Sequence, residues 1–513
     1  MKQTFLQGAL IITIASLLSK IIGSLFRIPL QNIAGDEVYG IFSIVYPVYM
    51  AVLTLSVAGI PLAISKLISE ARLAGNEQQI RDIYVTAAIL AMSFGTTLFI
   101  GIVLFSNQIA SLLGGEFAML SLIVVSATLL VAPYMAVYRG YFQGYQDMRP
   151  TALSQVLEQV VRVFFILLFA YILVRQGFNE SVIAGGVMIG SILGALASLV
   201  YLRRKFTKSD VKPTTDVRYS IDSFRRWSKT ILKISLPICV GALAMALVNF
   251  IDSITVPSQL AAIGENVAVQ YGYYGRGLAL VQIAVVFAQA LILPLIPLIT
   301  GALAAGDHTK TSRITEKAMK FMHLTSWPAA IGLLVLTVPL NIALFGDTMA
   351  SDTLAIVHVS AVFTSFAVLT TGLLQGMNKQ LLSAYIVLGA SVLKVILNIF
   401  LIREFGLIGV AWSTLVVYVV LTAWNLYVMK KSISFKLFGN GEIRVMLAAV
   451  GMGAVVYLPM LLFDVTAWSR GGVLLFVFAM MAVGAVVYGL LLLVFKGVTR
   501  EELKMIPVVG KRL

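Results

Sequence analysis

Fourteen apolar runs, each about 20 residues or longer, follow one another along the chain with short polar connections between them. They lie at roughly 6–30, 38–66, 83–106, 117–144, 151–174, 181–202, 230–256, 271–303, 319–345, 353–377, 381–402, 407–429, 444–463 and 471–495. A helix needs about 20 mostly apolar residues to cross the hydrocarbon core of a bilayer. Only a helix or a closed barrel satisfies its backbone groups there. The pattern therefore predicts an all-α polytopic membrane protein with about fourteen transmembrane helices. Composition excludes a soluble alternative: 59% of the 513 residues are apolar and 12% charged, against about a quarter charged in soluble domains. The longest connection, 203–229, is too short for a soluble catalytic domain.

Basic residues set the expected orientation. Of 38 Lys and Arg, only Arg175, Arg403 and Arg470 fall in loops on one side, and the rest outside the spans gather on the other. The positive-inside rule makes the crowded side cytoplasmic and places both termini there. The same rule turns the net charge of +15 into a statement about topology and anionic lipid headgroups, with no nucleic-acid partner implied. The one cysteine, Cys239, forms no internal disulfide and no cysteine-based metal site.

An internal repeat is visible. Gly140-Tyr141-Phe142-Gln143-Gly144 matches Gly372-Leu373-Leu374-Gln375-Gly376, and Arg162 matches Lys394, both at an offset of 232; Ala74-Gly75-Asn76 matches Ala305-Gly306-Asp307 at 231. Six spans separate the copies, so they share an orientation, as in transporters built from parallel repeats. The expected organisation is a six-helix lobe with a basic linker at 1–227, a second six-helix lobe at 228–440, and two added helices with a basic tail at 441–513. A central cationic cavity is expected between the lobes.

That expectation comes from charges at hydrocarbon depth, where each costs about 2.5–3.5 kcal/mol at a helix centre on insertion scales. Lys66, Arg139 and Lys233 lie near predicted cytoplasmic ends and reach the interface by snorkelling. Lys20, Arg27, Arg162, Arg276 and Lys394 lie deeper and are the candidate substrate-binding residues. Ser16, Lys20, Gly23 and Arg27 share one face of the first helix, and Ser391, Lys394 and Asn398 one face of the eleventh. Glu158 and Asp252 are the acids in the spans, and with Asn249 and Asn398 they are the candidate supporting or coupling residues. Glu158 and Arg162, four apart, also read as a structural ion pair. Five deep cations against two acids suit an anion, and arginine's planar fork suits phosphate. A pyrophosphate carried on a lipid fits: its tail stays in the bilayer while its head crosses.

Several motifs resemble the polysaccharide-transporter branch of the MOP flippase superfamily, closest to its stage V sporulation protein B and MurJ lipid II flippase groups. These are Ser19-Lys20-Ile21-Ile22-Gly23 with Arg27-Ile28-Pro29, Ala58-Gly59-Ile60-Pro61-Leu62-Ala63-Ile64-Ser65-Lys66, Arg139-Gly140-Tyr141-Phe142-Gln143-Gly144, and Ser154-Gln155-Val156-Leu157-Glu158-Gln159-Val160-Val161-Arg162. The resemblance implies a bacterial cell-membrane flippase working by alternating access on an undecaprenyl-pyrophosphate-linked sugar, lipid II for peptidoglycan above others. Its alternatives are another lipid-linked oligosaccharide, for capsule, teichoic acid or other polysaccharide. It implies a role for Lys20 and Arg27 in the first span and Arg276 in the eighth, and cell-wall synthesis enzymes as partners. Some relatives bind sodium among acidic and amide residues; here Lys394 beside Asn398 opposes a cation near Asp252.

Two other function classes fare worse. A cation-coupled multidrug antiporter needs buried carboxylates, and the deep charge here is mostly positive. A membrane-embedded enzyme needs paired acids, a metal or a general base. His308, His323 and His358 lack metal-ligand spacing, and no phosphate-binding glycine loop appears. No cofactor is expected.

Overall fold

A computed structural model of the protein describes residues 5–57, 59–209, 211–213, 218–437 and 439–498. Its eighteen α-helices, with three short 3-10 turns and no strand among the described residues, are α1 Phe5–Leu25, α2 Arg27–Val57, α3 Ile60–Leu73, α4 Glu77–Leu104, α5 Ser106–Leu112, α6 Met119–Ser126, α7 Ala132–Gly144, α8 Arg149–Arg175, α9 Glu180–Thr207, α10 Ile221–Ala262, α11 Val267–Ala304, α12 His308–Val335, α13 Thr337–Phe345, α14 Ser351–Gly376, α15 Gln380–Phe405, α16 Leu407–Ser432, α17 Asn440–Leu462 and α18 Arg470–Val494.

Among the described residues, eleven helices are long and apolar enough to cross a membrane, or up to thirteen if each bent pair is one span. The bent pairs are the two parts of α10, at 53°, and α12 with α13, at 75°. The expected fourteen differs from the larger figure at the amino terminus. There the expected spans 6–30 and 38–66 fall in one run, Ile11–Leu73, broken by non-helical backbone at Gly35 and counted once.

By internal contacts the chain forms two compact units. The first holds Met1–Gly275 and Val387–Arg403; the second holds Arg276–Ile386 and Glu404–Leu513. Residues 228–275 thus pack with the amino-terminal unit, so the division by contacts differs from the division by repeat. One core of the first unit joins α3, α4, α7 and the end of α9, where Tyr84, Tyr138, Tyr141 and Phe206 stack. A core of the second joins α13, α17 and α18 through Leu340, Met452, Val456 and Val473.

The repeat is visible in backbone geometry. Gln146 and Asn378, 232 residues apart, both adopt positive φ, 62° and 58°. Each follows a helix end closed the same way: Gln146 N–H donates to Gln143 C=O and Asp147 N–H to Phe142 C=O, while Asn378 N–H donates to Gln375 C=O and Lys379 N–H to Leu374 C=O. Gly75 and Gly306, at φ 65° and 70°, match in the same manner. Asn76 then caps α4 and Asp307 caps α12 through their side-chain oxygens.

Outward faces are apolar. On α15, Leu381, Tyr385, Leu388, Val392, Ile396 and Phe400 are exposed at helical spacing, while Ser391, Lys394 and Asn398 on the other side are buried. Such stripes suit hydrocarbon and not water.

Candidate functional site

In the amino-terminal unit, α1 lies against α8. Ser16 Oγ donates to Gln155 Oε1 at 3.2 Å. The apolar residues Ile14, Leu18, Ile21 and Leu25 are all exposed. At about 100° per residue they form one stripe, and Ser16, Lys20, Gly23 and Arg27 form another about 200° away. Lys20 also has an exposed side chain, but on the polar face beside α8, away from the lipid-facing stripe. The helix continues nearly unbroken through Phe26, so Arg27 keeps this face. Its guanidinium lies 6.0 Å from the centre of the Tyr46 ring. Its Nε is buried without a hydrogen-bond partner, as are Ser19 Oγ and Gln159 Oε1 nearby in sequence or on α8.

Tyr46 separates Arg27 from a second group of charges. Its hydroxyl accepts from Arg162 Nη1 at 3.5 Å. Arg162 Nη2 is 2.9 Å from Glu158 Oε1, and Arg139 Nη2 is 2.8 Å from Glu158 Oε2. Arg139 also donates to Ser154 Oγ and Ser198 Oγ at 3.0 and 3.2 Å. Close helix packing holds this group together: a Cβ on Gly194 of α9 would stand 2.6 Å from Glu158 C=O. The i, i+4 pair of Glu158 with Arg162 is therefore present. Arg139, expected at the interface, instead shares the carboxylate, because α7 brings it to α8. Lys66 does sit at an exposed surface, 4.0 Å from Glu70.

The same unit holds a second buried group. Lys394 Nζ lies 3.2 Å from Asp252 Oδ1. Asn398 Nδ2 donates to Asp252 Oδ1 at 2.9 Å and to Thr255 Oγ1 at 2.7 Å, and the Tyr274 hydroxyl donates to Asp252 Oδ2 at 3.0 Å. Asn249, one turn before Asp252, has an exposed side chain outside this group.

Arg276 belongs to the other unit and is fully buried. Its Nη1 and Nη2 donate to Asp347 Oδ1 and Oδ2 at 2.7 and 2.9 Å, and Nη1 also reaches Asn341 Oδ1 at 3.0 Å. Phe345 stacks on the guanidinium at 5.0 Å. Asn341 in turn donates to Met349 C=O and Ser351 Oγ, so Arg276 ties down the loop between α13 and α14. Asp347 lies outside the apolar runs, which is why a search restricted to charges inside spans passes over it. The expectation of five deep cations facing two acids is corrected accordingly. Arg162, Lys394 and Arg276 each have a carboxylate partner, and Lys20 and Arg27 have none among the described residues.

Asp347 makes the second unit acid-sensitive. Burial alone would raise its carboxyl; the hydrogen bonds from Arg276 and from Met349 N–H, with the guanidinium's charge, outweigh burial and hold it below the usual carboxylate range. A lowered native value gives stability that is complete above the unfolded value, about 3.9, and is lost as pH falls through the native one. Thermal unfolding of the second unit is expected to be flat from pH 7 to about pH 5 and to weaken below about pH 4. Asp347→Asn, which strands Arg276, is expected to lower the midpoint at neutral pH and remove that acid limb. An unchanged limb in the variant would contradict the assignment.

Residues 5–301 match the family model described as "Polysaccharide biosynthesis protein". The chain is similar to "Stage V sporulation protein B" of Bacillus subtilis (strain 168), 26% identical over 526 residues, covering 99% of each chain. It is similar to "Lipid II flippase MurJ" of the same organism, 26% identical over 485 residues, covering 89% of this chain and 88% of that one. A solved structure, "Lipid II flippase MurJ, inward closed conformation", shares the fold with a TM-score of 0.68 at 15% identity, covering 95% of this chain and 98% of that one. With its helices long enough to span a bilayer, its apolar outer stripes and a family match over more than half its length, this multi-pass membrane protein belongs to the polysaccharide biosynthesis protein family.

Proposed function

We propose that this protein is a flippase for a lipid-linked sugar precursor, with lipid II as its cargo. The observation that carries the reading is the polar face of α1. Lys20 and Arg27 lie on it with no carboxylate partner among the described residues, and Arg27 Nε is buried with its hydrogen-bonding capacity unspent. An unspent guanidinium nitrogen at hydrocarbon depth is costly unless something anionic completes it, and a pyrophosphate does so with several acceptor oxygens. Arg139, Arg162 and Glu158 next to it add one further net positive charge. Similarity to proteins named "Lipid II flippase MurJ" and "Stage V sporulation protein B" supports the reading.

On this reading the repeats at 1–227 and 228–440 are the lobes of an alternating-access transporter, with both termini cytoplasmic. Lys20 and Arg27 take the pyrophosphate. Arg276 acts differently from them: bound to Asp347 and stacked on Phe345, it holds a loop in place. Exchanging the pair, as Arg276→Asp with Asp347→Arg, is then expected to restore most of the transport lost by either change alone.

The test is genetic. Expression in a bacterial cell depleted of its own lipid II flippase is expected to restore growth. Failure to restore growth, with correct membrane insertion, would overturn lipid II as the cargo. Rescue of a strain lacking a flippase for a different lipid-linked glycan would then name the cargo.

A further inference from the structure

We infer that the groove between α4 and α10 binds an anionic phospholipid of the cytoplasmic leaflet, one acyl chain lying in the groove and the phosphate on the first turns of α10. The site is separate from the polar face of α1 and does not depend on which cargo the protein carries. The groove has a volume of about 300 Å³. Ala87, Ile231 and Cys239 form its buried floor, and Phe94, Leu232 and Leu236 are exposed at its rim. Small side chains on α4 create it. Ala87, Leu90, Phe94 and Thr97 recur at i, i+3, i+7 and i+10, on one face of that helix. Ala87 and Thr97 stop short of α10 and leave space that larger side chains would fill.

The walls suit hydrocarbon. Ser56, Ser93 and Thr97 line the groove, but their hydroxyls donate to carbonyls of their own helices, those of Leu53, Leu90 and Ser93. A water held inside needs about two to four polar partners, and these donors are already spent. The volume decides against a protein partner, since one turn of a helix about 10 Å across and 5.4 Å long takes up about 400 Å³. A flexible chain enters part by part from the exposed rim.

Charge selects the head group. Arg225, Lys229, Leu232 and Leu236 follow i, i+4, i+7 and i+11 on α10, so two cations stack on the helix face that lines the groove. At 1.5 Å per residue, Lys229 stands about 4.5 Å and Arg225 about 10 Å before Leu232 along the axis. Arg225, Arg226, Lys229 and Lys233 are all exposed, and none has a carboxylate partner among the described residues. Asp222 is the acid on these turns, so four cations against one acid leave three positive charges. Asp82 on α4 is engaged by Arg81 and by the Ser223 hydroxyl. With both termini cytoplasmic, this end of α10 lies where the phosphates of the inner leaflet lie, and each cation there adds to the attraction for an anionic lipid. A choline head group brings its own cation to the same place and gains less.

The experiment is native mass spectrometry of the full-length protein in detergent, with phosphatidylglycerol and phosphatidylcholine titrated singly and in equal mixture. Wild type is expected to hold one phosphatidylglycerol about fivefold more tightly than phosphatidylcholine, and to unfold at a higher temperature in its presence. Arg225→Gln with Lys229→Gln is expected to weaken phosphatidylglycerol about tenfold and to leave phosphatidylcholine unchanged. Ser93→Trp, which fills the groove from its rim, is expected to reduce retention of both lipids. All three side chains are exposed, so the unfolding midpoint without lipid is expected to stay at the wild-type value. Thr97→Trp, at another exposed position, serves if Ser93→Trp lowers it. Equal retention of the two lipids by wild type, or retention of neither, overturns the proposal, as does unchanged phosphatidylglycerol affinity in the variants. Undecaprenyl pyrophosphate displacing phosphatidylglycerol at equal concentration overturns it too and gives the groove to the tail of the cargo. The flippase reading is tested separately, by the genetic rescue.

Discussion

Glu158→Gln is expected to destabilise the amino-terminal unit by about 3–5 kcal/mol, the cost of removing one partner from a buried ion pair. Glu158 serves two arginines at once. Its side chain is 12% exposed, and those of Arg139 and Arg162 are 13% and 5% exposed. The substitution keeps the shape but leaves two guanidinium groups facing each other with no negative charge between them. Arg162 keeps the Tyr46 hydroxyl at 3.5 Å and Arg139 keeps Ser154 and Ser198, while the glutamine Oε1 accepts from one guanidinium and its NH2 group faces the other. The change concerns the interior of one unit, so it is expected in the absence of any cargo. Cys239 offers the measurement: it is the chain's one cysteine, lies in this unit and is buried. Its reaction with a thiol dye on heating therefore reports unfolding. The midpoint is expected to fall by on the order of ten degrees; a midpoint within one or two degrees of wild type would mean that the three charges do not depend on one another.

The helices were legible because apolar run length and backbone satisfaction act locally. The repeat was legible too, since Gly75 and Gly306, or Gln143 and Gln375, keep their residue types at turns of the same shape. Breaks were harder. The bend in α10 lies between Leu243 and Ala246, away from both Pro237 and Pro257, so the positions of the prolines do not locate it. The site divides along the same line. Glu158 with Arg162 is one helical turn and could be read from spacing. Arg276 with Asp347 spans 71 residues and ends in a loop. Arg139 joins Glu158 only because α7 packs beside α8. Sequence depth alone made all five deep cations equivalent, and tertiary contacts separate them: three are matched by carboxylates, while Lys20 and Arg27 have no carboxylate partner among the described residues.

That separation gives the second large effect. Neutralising both residues, as Lys20→Gln with Arg27→Gln, is expected to abolish rescue of a flippase-depleted cell while leaving the fold intact, since neither side chain holds an ion pair among the described residues. Removing the charge from the matched cations should do the opposite, costing stability before it costs binding. The most direct measurement is the affinity of the purified protein for undecaprenyl pyrophosphate at two salt concentrations. Wild type is expected to bind with an affinity that falls as salt rises, and the double variant to bind at least tenfold more weakly at the lower salt with an unchanged unfolding midpoint. Equal affinity in the two proteins would contradict a phosphate-binding role for the first helix.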